Sequence, residues 1–253
     1  MSDDYAGTPR VFIARHGETA WSKLGLYTGS SSISLLPEGE NQVSTIAKAF
    51  VGAGKLLDPS SLARAFVSPL NRAKQTFGLL LPRDALSEER ISYTKDLMEW
   101  DYGDYEGKTR DEVLKMRADT GLPAYPEWSV WRDGCEGGEY VLAFARSLCC
   151  GYWLSLTLFS THRSKDQITE RLDRIIKEIR DIQCPLMNGG EPADVLLVAH
   201  GLILRCLAKR WVGYEIDANV RMQLRPGALA VLSYDAKDIN KPCLDLGLAL
   251  PPA

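Results

Sequence analysis

The chain has 253 residues, 45% of them hydrophobic and 25% charged, the profile of a globular protein long enough to bury a substantial core. Its net charge of −3 argues against an extended nucleic-acid surface but leaves room for a local basic pocket that takes a small anion. The six cysteines (Cys135, Cys149, Cys150, Cys184, Cys206 and Cys243) lack zinc spacing and form no recognisable disulfide framework, and Met1-Ser2-Asp3-Asp4 is acidic, without the apolar run of a targeting peptide; the expectation is a reduced, cytosolic protein.

Arg10 to Arg15 reads as a short buried strand that ends at His16-Gly17. After a Ser-rich loop, Pro37-Glu38-Gly39 opens a helix whose apolar residues are Val43, Ile46, Ala47 and Phe50. Ala65-Phe66-Val67 is a second strand, followed by a helix carrying Ala73, Phe77 and Leu80, with Ser68 as its N-cap and Pro69 at its first position. A stretch from Ile91 to Leu97 leads to Glu99. Asp166 to Ile182 is an amphipathic helix with Ile168, Leu172, Ile175, Ile176 and Ile179 on one face. Asp194 to Ala199 is a continuous apolar strand ending at His200-Gly201, a helix from Leu202 to Val212 follows, and Ala228 to Tyr234 is the last expected strand. The Pro-rich tail after Leu250 is expected to fray.

Strands alternating with helices predict an α/β fold, a three-layer α/β/α sandwich around a mostly parallel sheet. Ligands of such sheets bind beyond the carboxyl ends of the strands. Arg15-His16, Ser68 to Arg72 and His200-Gly201 each follow a predicted strand directly, so they should meet at one edge.

Of the three histidines, His16 and His200 form matching strand–His–Gly units, whereas His162 has no such context. Glycine lets backbone amides approach a bound anion closely. The set of residue types suits phosphoryl transfer. Arg15 and Arg72 offer planar forks of donors that match phosphate oxygens. His16, neutral at one nitrogen, can attack phosphorus and form a covalent intermediate. His200 can donate to a phosphoryl oxygen in the transition state. Glu99 is the candidate acid that protonates the leaving alkoxide and later activates water.

These motifs resemble those of the histidine phosphatase superfamily, which includes phosphoglycerate mutases and many small-molecule phosphatases. The matching residues are Arg15-His16-Gly17-Glu18-Thr19 with Trp21, Tyr27-Thr28-Gly29, Leu36-Pro37-Glu38-Gly39, Ser68 to Thr76, and Val198-Ala199-His200-Gly201. The resemblance implies a phosphoglycerate mutase-like fold in one domain spanning 1–253. It also implies a catalytic core of Arg15, His16, Arg72, Glu99 and His200 that works without metal or cofactor. Ser22, Thr28, Gly29, Tyr102 and Gly201 would line the phosphate or substrate pocket. The expected ligand is a small phosphorylated metabolite, with neither nucleic acid nor membrane as partner.

Ser22 stands where mutases usually carry Asn, and the run from Glu99 to Gly107 looks like the phosphatase branch. That run, Trp21-Ser22-Lys23, Trp131 to Glu139, Val231 to Tyr234 and Asn240-Lys241-Pro242 are similar to the fungal sedoheptulose-1,7-bisphosphatase-like branch, as is Arg205, which could help hold the substrate. The region between Arg210 and Gly227 is much shorter than in that branch, which bears on sugar specificity rather than on chemistry. The function expected is hydrolysis of a sugar phosphate or bisphosphate through a phosphohistidine at His16. A cofactor-dependent phosphoglycerate mutase and a non-catalytic binding protein on the same fold are the alternatives.

The resemblance lapses between Glu139 and Asp166, where an apolar insert at about 140–165 carries Cys149-Cys150, Trp153 and His162 but no acidic residue. A membrane-touching helix, an added helix packed on the domain or acting as a lid, and translated intron sequence are the three readings of it.

Overall fold

The computed structural model describes residues 7–123, 128–138 and 165–246. The insert reading lies outside these residues except for Lys165, as does the Pro-rich tail. In chain order the elements are β1 (Val11–Arg15), α1 (Ala20–Lys23), α2 (Pro37–Phe50), β2 (Leu62–Val67), α3 (Asn71–Leu80) and β3 (Ile91–Tyr93). They continue with α4 (Arg110–Asp119), α5 (Val130–Asp133), α6 (Lys165–Gln183), β4 (Asp194–Ala199), α7 (Gly201–Trp211), β5 (Leu229–Tyr234) and β6 (Pro242–Asp245).

The six strands form one sheet in the order β3-β2-β4-β1-β5-β6. β3, β2, β4 and β1 run parallel, and β5 is antiparallel to both of its neighbours. Alternation along the central strands explains the layers. Val11 and Ile13 of β1, with Val195, Leu197 and Ala199 of β4, share a core with α6 and α7. Phe12, Ala14, Leu196 and Val198 face the other way, onto Val43 of α2 and Ala73 and Leu80 of α3. A strand buried on both faces needs apolar residues at every position, which is why β4 reads as a continuous run. Helix α6 buries Ile168, Leu172, Ile175 and Ile179 against the sheet, each worth about 1.5–3 kcal/mol. Among the described residues no helix is long and apolar enough to cross a membrane.

Two expectations are corrected. Helix α3 begins at Asn71 with Leu70 at the N-cap and no side-chain cap bond, so Ser68 is not its cap. The Ser68 hydroxyl is engaged by a histidine instead, as described below. Nor is β5 the last strand: β6 adds an edge, opening on Pro242, a residue tolerated at the start of an edge strand because no further strand needs its missing N–H.

Candidate active site

The site follows from register. Arg15 pairs with Ala199 across β1 and β4, and Val67 pairs with Val198 across β2 and β4. One step beyond, His16 N–H donates to the Ala199 carbonyl (3.0 Å) and Ser68 N–H to that of Val198 (2.9 Å). Three strand ends thus deliver His16, Ser68 and His200 side by side, with the two imidazole centroids 5.2 Å apart. The chain leaves β1 for α2 on one face and β4 for α7 on the other, so a crevice opens where the connections diverge. Arg15, His16, Ser22, Thr28, Glu99, Tyr102, Gly201 and Arg205 line a cavity of about 210 Å³ there, together with Gly25, Leu26, Tyr27 and Leu202.

Nδ1 of His16 lies 2.8 Å from the Gly17 carbonyl oxygen. A carbonyl only accepts, so Nδ1 carries the hydrogen and Nε2 of the neutral ring carries the lone pair. Burial is the main cause that lowers the His16 pKa, from 6.5 to about 3; the Arg72 and Arg15 charges add to it against the opposing Gly17 bond. His200 is lowered well below its ordinary value, again chiefly by burial and then by Arg72. In an unfolded chain both would protonate near 6.5, so below that pH the unfolded state binds more protons and the fold loses stability. For His16 the expected slope is about 1.4 kcal/mol per pH unit as pH falls from 6.5 towards 3, and His200 adds in the same direction. Urea unfolding at pH 7, 6 and 5 measures it; a His16→Gln variant whose pH slope equals that of the parent would contradict the assignment.

Arg15 donates from Nη1 to the Leu224 carbonyl (2.7 Å), while its Nε is buried with no protein partner, a donor that an anion would satisfy. A Cβ on Gly201 would stand 3.0 Å from both Nε and Cζ of Arg15, so glycine is what lets the guanidinium lie over the start of α7. Glu99 accepts from the N–H groups of Leu202 (2.9 Å), Ile203 (2.9 Å) and Trp100 (3.0 Å). It therefore satisfies the open first turn of α7, where His200 occupies the N-cap without capping it through its side chain. A carboxylate has about four acceptor positions. Three are used, which leaves one for a ligand.

Arg72 and His200 depart from the expected arrangement: both are fully buried and neither lines the cavity. Arg72 donates from Nε to His200 Nδ1 (3.0 Å), from Nη1 to the Ser31 carbonyl (2.6 Å), and from Nη2 to the carbonyls of Gly29 (3.0 Å) and Thr28 (3.3 Å). Four of a guanidinium's five N–H groups are thus engaged by protein. Because His200 Nδ1 accepts, its Nε2 carries the hydrogen, which goes to Ser68 Oγ (2.7 Å).

Arg72 works against a second group that the motif reading passed over. Glu106 accepts from Gly29 N–H (2.8 Å to Oε2) and Ser31 N–H (3.0 Å to Oε1). Carboxylate and guanidinium thus hold the N–H and C=O groups of one loop from opposite sides. The only sequence signal for Glu106 was its place in the Glu99 to Gly107 run, and an acid beside glycine is ordinarily a solvated one.

The expected pocket residues divide in the same way. Ser22 lines the cavity, but its hydroxyl belongs to the capping box of α1, accepting from Thr19 N–H (2.8 Å) and donating to the Thr19 carbonyl (3.0 Å). Thr28 also lines it, with its hydroxyl on the Leu26 carbonyl (2.9 Å). Gly29 is not on the cavity wall: it is buried, and Trp100 O would be 2.3 Å from a Cβ there. Burial, with Glu99 next, raises the Tyr102 phenol well above its ordinary range, so it stays a donor at neutral pH. Arg205 holds the Gly201 carbonyl through Nε (2.9 Å). Among the described residues no three His, Cys, Asp or Glu side chains gather as a metal site requires.

The family model for the histidine phosphatase superfamily (branch 1) matches residues 11–146 and 153–241. The chain is 32% identical to sedoheptulose 1,7-bisphosphatase of Saccharomyces cerevisiae, with 94% of this chain and 92% of the relative covered. It is 27% identical to an acid phosphatase of Mycobacterium tuberculosis, over 89% of this chain and 87% of that one. The fold is also that of a phosphoglycerate mutase from Bacillus anthracis (TM-score 0.63, 14% identity, 96% of this chain and 94% of that one). The cavity at the ends of β1 and β4, the paired strand–His–Gly units and the span of this match agree: the chain belongs to the histidine phosphatase superfamily.

Proposed function

We propose that the protein is a metal-independent phosphatase that hydrolyses a small phosphorylated metabolite, a sugar phosphate or bisphosphate, through a phosphohistidine at His16. The observation that carries this reading is the state of His16, a neutral imidazole on the cavity wall with Nδ1–H tied to Gly17 and Nε2 unprotonated, between Arg15 and Glu99. Nε2 attacks phosphorus as the ester P–O bond breaks, and the Glu99 carboxyl group protonates the departing alkoxide. The Glu99 carboxylate then takes a proton from water, whose oxygen attacks phosphorus; the P–N bond breaks and phosphate leaves. Arg15 and Arg205 are the cations on the cavity wall that neutralise phosphoryl charge, while Arg72 and His200 act from behind by holding the loop and the strand ends.

The sugar bisphosphate reading is supported by the name of the yeast relative and by Arg205. A phosphate-release screen over sugar bisphosphates, phosphoglycerates and nucleotides, run with and without a chelator, tests it. Release from a sugar bisphosphate that persists in chelator is expected. Isomerisation of a phosphoglycerate without net release would replace this reading with a mutase, and loss of turnover in chelator would remove metal independence.

A further inference from the structure

The cavity at His16, at about 210 Å³, is smaller than the roughly 300–1,000 Å³ typical of sites that enclose a whole metabolite. A substrate whose phosphoryl group sits there must continue outside it. Arg205 marks where: it lines both this cavity and a second one of about 720 Å³. The outer cavity is walled by Trp131, Lys209 and the 217–223 loop.

The polar groups of that wall are mostly unspent. Arg205 uses Nε on the Gly201 carbonyl and lies 5.1 Å from the centre of the Trp131 ring, which fixes its plane and leaves its two terminal nitrogens available. Lys209 is committed: its ammonium donates to the carbonyls of Ile216 and Ala218 (both 2.8 Å) and shapes the start of the loop. The acidic group of the wall, Asp217, is neutralised by Lys165 at 2.8 Å. Arg221 is exposed on the wall and pairs with no carboxylate among the described residues. Two arginines with open donors, flanked by the amides of Asn219 and Gln223 and facing no unpaired acid among the described residues, form a recess suited to a dianion.

We propose that this recess holds a second phosphate of the substrate, gripped by Arg205 and Arg221, so that the enzyme selects bisphosphates over the matched monophosphates. The inference rests on the phosphatase reading for the inner cavity, and the experiment separates the two. Equilibrium binding of fructose 1,6-bisphosphate, sedoheptulose 1,7-bisphosphate and fructose 1-phosphate to a His16→Ala variant compares ligands with and without the distal group and involves no turnover. The bisphosphates should bind at least about tenfold more tightly than fructose 1-phosphate, and Arg221→Gln on the same background should remove most of that preference, the usual size of a charge-assisted contact. Equal affinities, or an Arg221→Gln effect of the same size on both kinds of ligand, would overturn the second phosphate site. Hydrolysis of p-nitrophenyl phosphate by the parent chain tests the phosphatase reading by itself, since that ester has no distal group.

Discussion

Replacing His16 with alanine is expected to lower kcat by at least about 10⁴-fold, the scale of loss when a covalent nucleophile is removed. The substitution removes the atom proposed to bond phosphorus, and neither Arg15 nor Glu99 can take over, because a guanidinium has no lone pair to give and the Glu99 carboxylate is held by two N–H groups of the α7 turn and that of its neighbour Trp100. Folding should survive. The His16 side chain contributes one hydrogen bond to a carbonyl, worth about 1 kcal/mol, and its backbone bond to Ala199 is kept in alanine. Quenching the parent enzyme during turnover of a labelled ester should trap an acid-labile phosphoenzyme that the variant lacks. Full activity, or the same labelled intermediate, in the variant would end the phosphohistidine mechanism.

Arg72→Lys should do the opposite kind of damage, to stability as well as to rate. The guanidinium joins His200 to three carbonyls of the 28–31 loop while fully buried, and an ammonium group can reach one end of that set but not span it. The stranded groups are a ring nitrogen and at least one carbonyl in a dry interior, alongside Glu106, whose grip on the other side of the loop then lacks its counterpart. Breaking such a buried charged network costs about 3–5 kcal/mol, which for a chain of this size lowers Tm by about 10 °C. The same loop carries Tyr27 and Thr28 on the cavity wall, so kcat/KM should drop as well, by about 100-fold if wall atoms shift by an ångström. Scanning calorimetry checks the first part. An unchanged Tm would mean that Arg72 is not the structural tie described.

The sequence carried the sheet and the meeting of its strand ends because both depend on patterns that burial imposes locally. β4 could only be a strand covered on two faces, and α6 repeats isoleucine and leucine at helical spacing. Register then did the rest: with Arg15 opposite Ala199, residues one step further had to be neighbours. What spacing could not tell was where side chains point. Arg72 and His200 lie at the strand-end edge as expected, and spacing could not tell that they hydrogen-bond each other there. Ser68 looked like a helix cap because Pro69 follows it, but the helix does not begin until Asn71 and the hydroxyl is taken by His200, a partner 132 residues away. β6 escaped notice because Pro242-Cys243-Leu244-Asp245 has neither length nor alternation, and its strand character comes from pairing with β5. Glu106 was invisible as a functional group since its partners are backbone N–H groups, which no residue type announces.

The segment Leu36-Pro37-Glu38-Gly39, which stood in the sequence only as part of a resemblance, acquires a mechanical meaning from the space around Gly17. A Cβ on Gly17 would be 2.4 Å from the Gly39 carbonyl oxygen, and one on Gly39 would be 2.2 Å from that of Glu18. The first turn of α2 therefore rests directly on the backbone that follows His16, with no side chain between them to absorb a shift. Helix α2 and the His16-Gly17 backbone touch without a cushioning side chain, so a tilt of α2 should be felt at the His16 imidazole. A methyl group at either glycine would meet backbone that cannot yield cheaply and is expected to displace His16, with a loss of activity that an assay of Gly39→Ala would measure.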